Sequence, residues 1–446
     1  MRLTLQIVAL APGGEGLARA GDRAVYVPFT APGDLVTVEM GAGEEAVHAE
    51  LLELVAPGPA RQEAACPHFG PAGDRCGGCE WLHVTPLVQL SAKVRALRET
   101  LRRIGRLDPA ALRWLPPLAS PEPLHYRSRA KFHLDRKAGR LVFYRRRSHE
   151  PVPLESCALL RPGLEGLRRA LGPALAAADL SPREVWLEWS DLQGHGAACL
   201  DLAALGERER RRAEGLLAAV PALAGLVLRG PEGVPTLLGQ PVLLQARAPG
   251  DPAAGACRSR PDVFQQANRA ANALLVRAAL DLLQPDKLDV LELHCGAGNF
   301  TGPLAARARS VAAVEVQGPA LDLARADHAD QPRPAAPVRF FAGDALNMAR
   351  AFARERGPSA RRFGAVLLDP PRDGARGLGP ALRELGVPRA VYVSCDPATL
   401  ARDVKGCVEA GFAVEAVQAV DLFPQTHHVE ALVVLTAGTA SLTEKQ

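Results

Sequence analysis

Hydrophobic and polar positions change their spacing along the chain and divide it into three parts. Over residues 1–62, runs such as LTLQIVAL and LVTVEM alternate apolar with polar residues between Gly/Pro turns, which predicts a small all-β, OB-like domain. Residues 63–250 mix strand-like and helical spacing and predict an α+β domain. Residues 251–446 alternate near-continuous apolar runs with helical patterns, which predicts an α/β domain with a parallel, doubly wound, Rossmann-like sheet.

Individual elements follow from the same patterns. Apolar positions recur at helical spacing over 86–106 with basic residues between them, predicting an amphipathic helix with an Arg-rich outer face. Further helices are predicted near 205–219, 267–283, 301–308, 319–328 and 397–410. Strands are predicted at 131–134, 141–144, 185–189, 197–202, 226–228, 290–295, 310–316, 338–341, 365–371, 390–395, 419–426 and 430–436.

Composition narrows the class of protein. With 48% hydrophobic and 23% charged residues and no unbroken apolar run near membrane-helix length, the chain is expected to be soluble. The first residues show no signal-peptide pattern, so we expect a cytoplasmic protein. We also expect a monomer. The net charge of +4 is uneven, because residues 93–147 carry sixteen Lys/Arg against four Asp/Glu. That excess fits either a solvated face or a nucleic-acid footprint.

A candidate cofactor site lies in the last part. The run LELHCGAGNF (291–300) places Gly296 and Gly298 directly after a buried strand, where glycine permits close approach to a ligand. The next strand ends at Glu315, a position suited to ribose hydroxyls. A third strand is followed by Asp344, and a fourth by Asp369 in the motif DPPR. A Gly-x-Gly turn alone is weak evidence, but the ordered set indicates S-adenosylmethionine and not a nicotinamide cofactor.

Cys395 and Glu430 are candidates for covalent chemistry. Uracil carbon 5 becomes nucleophilic enough to take a methyl group once a thiolate has added to carbon 6. Cys395 follows a buried strand at the sheet edge where doubly wound folds place their sites, and the helix N-terminus after it is expected to favour the thiolate. Glu430 is the candidate base for the carbon 5 proton. A structural thiol and a surface carboxylate are the alternatives.

A second cysteine pattern suggests a metal site. Cys66, Cys76 and Cys79 form C-x9-C-x2-C, and Cys157 could complete a set of four. Spacing alone leaves zinc and an iron–sulfur cluster equally open. The other cysteines have no partners at ligand spacing and are expected to be structural: Cys199, Cys257, Cys295 and Cys407.

Taken together, these motifs resemble the uridine-5 RNA methyltransferases of the TrmA/RumA type over nearly the whole chain. The Gly-rich turn, V-x-V-P strand, P-G-D turn and P-x-P-A-R ending of residues 1–62 resemble the TRAM domain of RNA-modifying enzymes. The rest of the resemblance depends on the motifs above and on four further segments: YR (126–127), FYRRRS (143–148), FQQAN (264–268) and HVE (428–430).

The resemblance implies roles for individual residues. Cys395 would be the nucleophile and Glu430 the base, and Asp369 and Arg372 would lie near the target base. The implied cofactor pocket comprises Gln266, His294, Gly296, Gly298, Asn299, Glu315, Asp344 and Asp369. Cys66, Cys76, Cys79 and Cys157 would hold a [4Fe-4S] cluster of mainly structural role.

This chain departs from the family pattern at three places. His294 stands where Phe or Tyr is common, so its contact with the cofactor is in question. Asp396 replaces the commoner Asn after the nucleophile, and its charge could raise the pKa of Cys395 unless it is paired. The loop between Cys66 and Cys76 is about four residues longer than in the family.

The RNA partner is less defined than the chemistry. Family members with a TRAM domain and four cysteines favour large-subunit ribosomal RNA, with transfer RNA as the alternative. A catalytically inactive RNA-binding assembly protein is a rival function, although the presence of both Cys395 and Glu430 weighs against it. Amino-group methylation is disfavoured, because such enzymes carry an aromatic residue where this chain has Arg372.

Overall fold

The computed structural model describes residues 1–41, 47–72, 75–330, 336–357 and 360–438. The N-terminal residues form a six-stranded sheet of order β1-β5-β6-β4-β3-β2, antiparallel except where β4 meets β6. Alternate residues of the strands point inward and form a small core, which includes the buried side chains of Ile7, Val25, Val36 and Val38. The strands are β1 (Arg2–Gln6), β2 (Ala9–Leu10), β3 (Gly16–Ala20), β4 (Arg23–Val27), β5 (Leu35–Met40) and β6 (Val47–Ala56).

The central residues form a seven-stranded sheet of order β13-β12-β11-β10-β7-β8-β9, beside a separate ribbon of β14 and β15. Its helices are α1 (Pro86–Arg103), α2 (Pro162–Ala177) and α3 (Glu207–Ala219), with a 3-10 turn at Pro252–Ala254. Its strands are β7 (Arg129–Asp135), β8 (Arg140–Tyr144), β9 (Pro151–Val152), β10 (Glu184–Ser190), β11 (His195–Asp201), β12 (Leu223–Arg229), β13 (Thr236–Gly239), β14 (Leu243–Ala246) and β15 (Ala256–Ser259).

The predicted helix over 86–106 and the predicted central strands are confirmed, but α2 was not predicted. Leu164, Leu167, Leu171 and Leu175 of α2 are fully buried at helical spacing. Two glycines and an internal Pro173 lie between those leucines and obscure the pattern, because both residue types disfavour helix interiors. Burial of the leucine face against the sheet outweighs that local preference.

The C-terminal residues form the predicted α/β domain, with a sheet of order β18-β17-β16-β19-β20-β22-β21. Its strands are β16 (Asp289–Leu293), β17 (Ser310–Glu315), β18 (Val338–Ala342), β19 (Ala365–Leu368), β20 (Arg389–Ser394), β21 (Phe412–Val420) and β22 (Glu430–Ala437). Its helices are α4 (Arg269–Leu283), α5 (Thr301–Ala305), α6 (Gly318–Ala329), α7 (Ala345–Arg354), α8 (Leu378–Leu385) and α9 (Pro397–Glu409). No helix in the described ranges combines the length and apolar character needed to cross a membrane.

Two sequence predictions for this domain were wrong. The sheet is not wholly parallel, because β22 runs antiparallel to both β20 and β21. The predicted strand over 419–426 ends at Val420, and residues 421–429 form the connection between β21 and β22. Helices α7 and α8 were not predicted from the sequence.

Helix α1 packs against that connection through a buried ion pair. Lys93 was expected among the basic residues of an outer face, yet its side chain is fully buried. Its Nζ lies 2.6 Å from Asp421 Oδ1 and donates to the Phe423 carbonyl at 2.9 Å. A lysine can occupy such a place only with its charge paired and its protons bonded. Lys93 therefore ties the central part of the chain to the C-terminal sheet.

Replacing Lys93 by Ala should destabilise the protein by roughly 3–5 kcal/mol, since it leaves the Asp421 carboxylate buried without its cation. Guanidinium denaturation would measure the loss. The double variant Lys93→Met/Asp421→Leu should recover most of it, because both charges are removed. If Lys93→Ala has the same free energy of unfolding as the wild type, Lys93 and Asp421 do not form a buried ion pair.

Candidate active site

Three neighbouring strands bring Asp369, Cys395 and Glu430 to one edge of the C-terminal sheet. Asp369 follows β19 and Cys395 follows the parallel strand β20. Since β22 is antiparallel, its first residue, Glu430, lies at the edge where β20 ends. The pairing of Ser394 with Ala431 places Cys395 and Glu430 at the same end of that strand pair.

The Cys395 thiol is half-buried and close to several charges. Burial raises its pKa to about 11, and the carboxylates of Glu430 and Asp369 act in the same direction. The guanidinium of Arg372, an exposed side chain, opposes them. The net effect of these groups is a raised pKa, although the helix N-terminus after Cys395 was expected to favour the thiolate.

Glu430 is a buried carboxyl group that the protein leaves free. Its side chain is 1% exposed, and both carboxyl oxygens lack a hydrogen-bond partner among the described residues. Burial, reinforced by the nearby Asp369, raises its pKa well above the usual range. Burial also raises the pKa of Asp369 to about 7. Two acids with raised pKa values beside a thiol can accept and hold protons near neutral pH.

Asp396 does not act on the thiol, which answers one question raised by the sequence. It is the N-cap of α9, and its Oδ1 accepts from the backbone N–H groups of Ala398 and Thr399 at 2.9 Å each. Aspartate is among the best N-cap residues because it satisfies these free N–H groups. The side chain is therefore paired and is not among the charges that shift the pKa of Cys395.

The glycine turn after β16 has a left-handed backbone geometry that glycine adopts readily. Gly296 and Gly298 have φ angles of 55° and 88°, in the left-handed region that favours glycine. The Gly296 N–H donates to Glu315 Oε2 at 2.9 Å, while Glu315 Oε1 accepts from Val316 N and Gln317 N. The turn is thereby fixed to the end of β17, and the carboxylate keeps lone pairs for ligand hydroxyls.

The other predicted pocket residues lie around this turn. His294 also has a left-handed φ of 59°. Burial lowers its pKa, and the charges of Glu315 and Asp344 oppose that shift, so the three side chains are neighbours. Asp344 is the N-cap of α7, accepting from Asn347 N at 2.9 Å. Asn299 is held by a reciprocal amide pair with Asn272, at 2.8 and 3.1 Å.

Glu292 is a buried acidic residue before the glycine turn that the sequence did not single out. It is fully buried in β16, where its Oε2 accepts from the Thr301 hydroxyl at 2.6 Å and its Oε1 has no partner among the described residues. Burial raises its pKa to about 8, with Asp369 adding to the shift. An orphaned buried oxygen at the base of the glycine turn fits a pocket completed by a polar ligand.

The segment 261–268 contains Gln266, which is 9% exposed. A residue of the central sheet holds this segment by hydrogen bonds. Arg129 donates to the carbonyls of Val263 and Pro261 at 2.7 and 3.1 Å. Val263 packs in a small apolar cluster with Ala297 of the glycine turn. The segment therefore lies against the predicted pocket. Arg129 was not predicted, because only the fold brings it to this segment.

Cys66, Cys76, Cys79 and Cys157 all line one cavity of about 330 Å³, together with Arg127. Burial raises the pKa of Cys76 to about 11 and raises the pKa values of Cys79 and Cys157 as well. Among the described residues, no group of three or more His, Cys, Asp or Glu is spaced to hold a metal ion. The structure thus brings the four predicted cysteines to one cavity. Cys199, Cys257, Cys295 and Cys407 are buried.

The chain is similar to known proteins over nearly its whole length. The tRNA (uracil-5-)-methyltransferase family model matches residues 255–438. A Pseudomonas putida protein named 23S rRNA (uracil(1939)-C(5))-methyltransferase RlmD is 35% identical, with 97% of this chain and 93% of that protein covered. A protein of the same name from Pectobacterium atrosepticum is 32% identical, with 98% and 94% covered. The fold matches the Pyrococcus abyssi tRNA (uracil-54, C5)-methyltransferase in complex with S-adenosyl-L-homocysteine, with a TM-score of 0.70 at 21% identity over 98% of this chain and all of that one.

The raised pKa of Glu430 predicts a pH-dependent stability cost. Above about pH 4.5 the unfolded chain releases this proton, whereas the folded state must keep it or bury a charge, so stability falls as pH rises. Glu430→Gln cannot ionise. Its melting temperature should exceed that of the wild type at pH 8, and the gap should narrow towards pH 4.5. Parallel melting curves across this range would contradict the assigned environment of Glu430.

Proposed function

Because the chain belongs to the family of RNA uracil-5-methyltransferases, as its full-length relatives show, we propose that it methylates carbon 5 of one uridine in 23S ribosomal RNA. The uridine would be the one that corresponds to position 1939 in the names of its relatives. The observation that carries the chemistry is the placement of the Cys395 thiol and the free, buried Glu430 carboxyl group at the same end of one antiparallel strand pair.

The reaction begins at Cys395. Its thiolate adds to carbon 6 of the uracil, forming a carbon–sulfur bond and an enolate with electron density at carbon 5. When bound, S-adenosylmethionine supplies an electrophilic methyl group, which carbon 5 takes up. Arg372 lowers the pKa of Cys395 and so assists thiolate formation against the effect of burial.

The second half of the reaction needs a base at carbon 5. Glu430 removes the carbon 5 proton, the carbon–sulfur bond breaks, and the electron pair returns to Cys395. A raised pKa makes the ionised carboxyl a stronger base than an ordinary glutamate. The absence of hydrogen-bond partners among the described residues leaves both of its oxygens available to the substrate.

The cofactor pocket is proposed to comprise the predicted set with Glu292 beside it. Glu315 would accept the ribose hydroxyls, and Gln266, Asn299, Asp344 and Asp369 would complete the polar lining. His294 stands where the family commonly has an aromatic residue. Because burial lowers its pKa, His294 presents a neutral flat ring at neutral pH, which is suited to the same contact.

Arginines beside the N-terminal sheet support an RNA-binding role for that part of the chain. Arg146 lies over the Phe29 ring at 5.6 Å, and Arg147 pairs with the buried Glu15 at 3.2 Å. Both contacts join the basic segment predicted from the sequence to the N-terminal sheet. We propose that this sheet is a TRAM-like module, and that the target uridine is presented splayed out of its stack, since carbon 6 is otherwise hidden. A cytoplasmic location and a monomeric state remain predictions.

We further propose that the four-cysteine cavity holds a [4Fe-4S] cluster. Four cysteines that line one cavity supply the ligand set that such a cluster takes. Arg127 at the same cavity would offset the negative charge of the thiolates.

The function is tested with purified enzyme, methyl-labelled S-adenosylmethionine and unmodified transcripts of 23S rRNA and transfer RNA. Label in 5-methyluridine of the 23S transcript is expected. Cys395→Ala should reduce it by roughly a thousandfold or more while cofactor binding is unchanged, with Cys199→Ala as a matched control. Label in transfer RNA alone would change the substrate assignment, and activity in Cys395→Ala would contradict the mechanism.

The cluster is tested by purification without oxygen. The protein should be brown and contain iron and acid-labile sulfide, both of which Cys79→Ser should lose and Cys257→Ser should keep. The Cys79 variant should also melt at a lower temperature, because a metal centre that binds only the folded state stabilises it. A colourless protein with one zinc per chain would overturn this assignment.

A further inference from the structure

We propose that Gln89 and Gln425 are positioning residues for Glu430. Their paired side-chain amides fix residues 421–429, and with them the start of β22, so that the Glu430 carboxyl group meets the carbon 5 proton. This inference rests on the proposed function, in which Glu430 removes that proton.

Glu430 needs such support because nothing holds its side chain. Both of its oxygens lack hydrogen-bond partners in the described ranges. A base must lie within hydrogen-bond reach of the proton that it removes, and small displacements are costly in rate. Its position must therefore come from the backbone, namely the first residue of β22 and the connection that precedes it.

That connection has few hydrogen bonds within itself, one of them from the Thr426 hydroxyl to the Phe423 carbonyl at 2.8 Å. Residues 421–429 contain no helix or strand. Gln425 has a φ of 70°, a left-handed conformation that costs free energy for residues other than glycine. A segment with this geometry persists only when surrounding groups determine it. The contacts that do so come from outside the C-terminal sheet.

Gln89 provides the nearest of these contacts. Its Nε2 donates to Gln425 Oε1 at 2.8 Å, and its Oε1 accepts from the Gln425 backbone N–H at 2.8 Å. The Gln89 Nε2 also donates to the carbonyls of Trp81 and Val84. The two glutamines are 1% and 2% exposed, so water does not replace these bonds.

Every polar group of Gln425 is used. Besides its two bonds with Gln89, its carbonyl accepts from Glu80 N and Trp81 N at 3.0 Å each. Its Nε2 donates to the Pro123 carbonyl at 3.1 Å. Only an amide side chain can donate and accept in this way. Neither a carboxylate nor an apolar residue of similar size could reproduce the set.

Other residues hold the earlier part of the connection. Lys93, one helical turn after Gln89 on α1, bonds the Phe423 carbonyl, and the Tyr126 hydroxyl donates to the Pro424 carbonyl at 3.0 Å. His427, which is closer to Glu430 in the chain, lies 3.5 Å from Glu80, and Val429 packs in the core. Of the hydrogen bonds that α1 makes to this connection, those of the glutamine pair lie nearest to Glu430. The pair is therefore the part of this support that should control the base most directly.

The test separates methyl transfer from proton loss in one turnover. The 23S transcript carries tritium at carbon 5 of uridine, and the methyl group of S-adenosylmethionine carries carbon-14. In Gln89→Ala and Gln425→Ala, the methyl group should reach the RNA–protein adduct at a rate near that of the wild type. Tritium release should lag by roughly ten- to hundredfold, and the methylated adduct should accumulate.

The double variant should be little worse than either single variant, because the two side chains act as one unit. Leu97→Ala is the matched control on the same helix, since Leu97 is fully buried in the core. It should lower the melting temperature without changing the ratio of methyl transfer to tritium release. Gln89→Glu keeps the size and the Oε1 acceptor but loses the Nε2 donor, so it provides a second test if the Ala variant fails to fold.

Two results would overturn the inference. If both glutamine variants keep the ratio seen in the wild type and in Leu97→Ala, the pair is merely structural. Glu430→Gln distinguishes this failure from a failure of the proposed function. If the adduct accumulates in Glu430→Gln but not in the glutamine variants, Glu430 is still the base and only the positioning role of the glutamines is excluded. No adduct in Glu430→Gln removes the base, and the inference with it.

Discussion

The antiparallel pairing of β22 with β20 is the constraint on which the active site depends. Parallel strands present their carboxyl ends at one edge, so Asp369 and Cys395 meet there by topology alone. A base that begins a strand reaches the same edge only if that strand is reversed. The pairing of Ser394 with Ala431 provides this reversal and brings Glu430 to the thiol. Burial of Glu430 without hydrogen-bond partners among the described residues, together with the nearby Asp369, then raises its pKa, which suits proton transfer and lowers stability.

The same reversal creates a long connection between β21 and β22, and the rest of the chain is organised to hold it. Helix α1 contributes Gln89 and Lys93. The residues directly after Cys79 donate to the Gln425 carbonyl, so the cysteine-lined cavity and the active site share one stretch of backbone. The N-terminal turn at Gly14 reaches this stretch too, through the Trp81 indole at 2.7 Å. The parts of the chain that are proposed to bind RNA are therefore in contact with the segment that carries the base.

Sequence reasoning predicted the α/β class and most elements, because the spacing of apolar residues in long strands and amphipathic helices shows which faces are buried. It failed where tertiary contacts override local preference, as in α2 with its internal Pro173. It also predicted a wholly parallel sheet, in which the start of the last strand would lie at the edge opposite Cys395. Glu430 was a candidate base because it precedes the last apolar strand, and the family resemblance, not the predicted topology, supported that role. Gln89, Arg129 and Glu292 carry no signal in one sequence, since their roles consist of contacts with distant residues.

The central claim is that a covalent bond forms between Cys395 and the target uridine and that Glu430 is needed to release it. The most direct test is mass spectrometry of the Glu430→Gln protein after reaction with 23S rRNA and S-adenosylmethionine, denaturation, and digestion by nuclease and protease. A methylated uridine nucleotide attached to the peptide that contains Cys395 is the predicted result. A nucleotide on a different peptide, or methylated RNA released without any adduct, would contradict it.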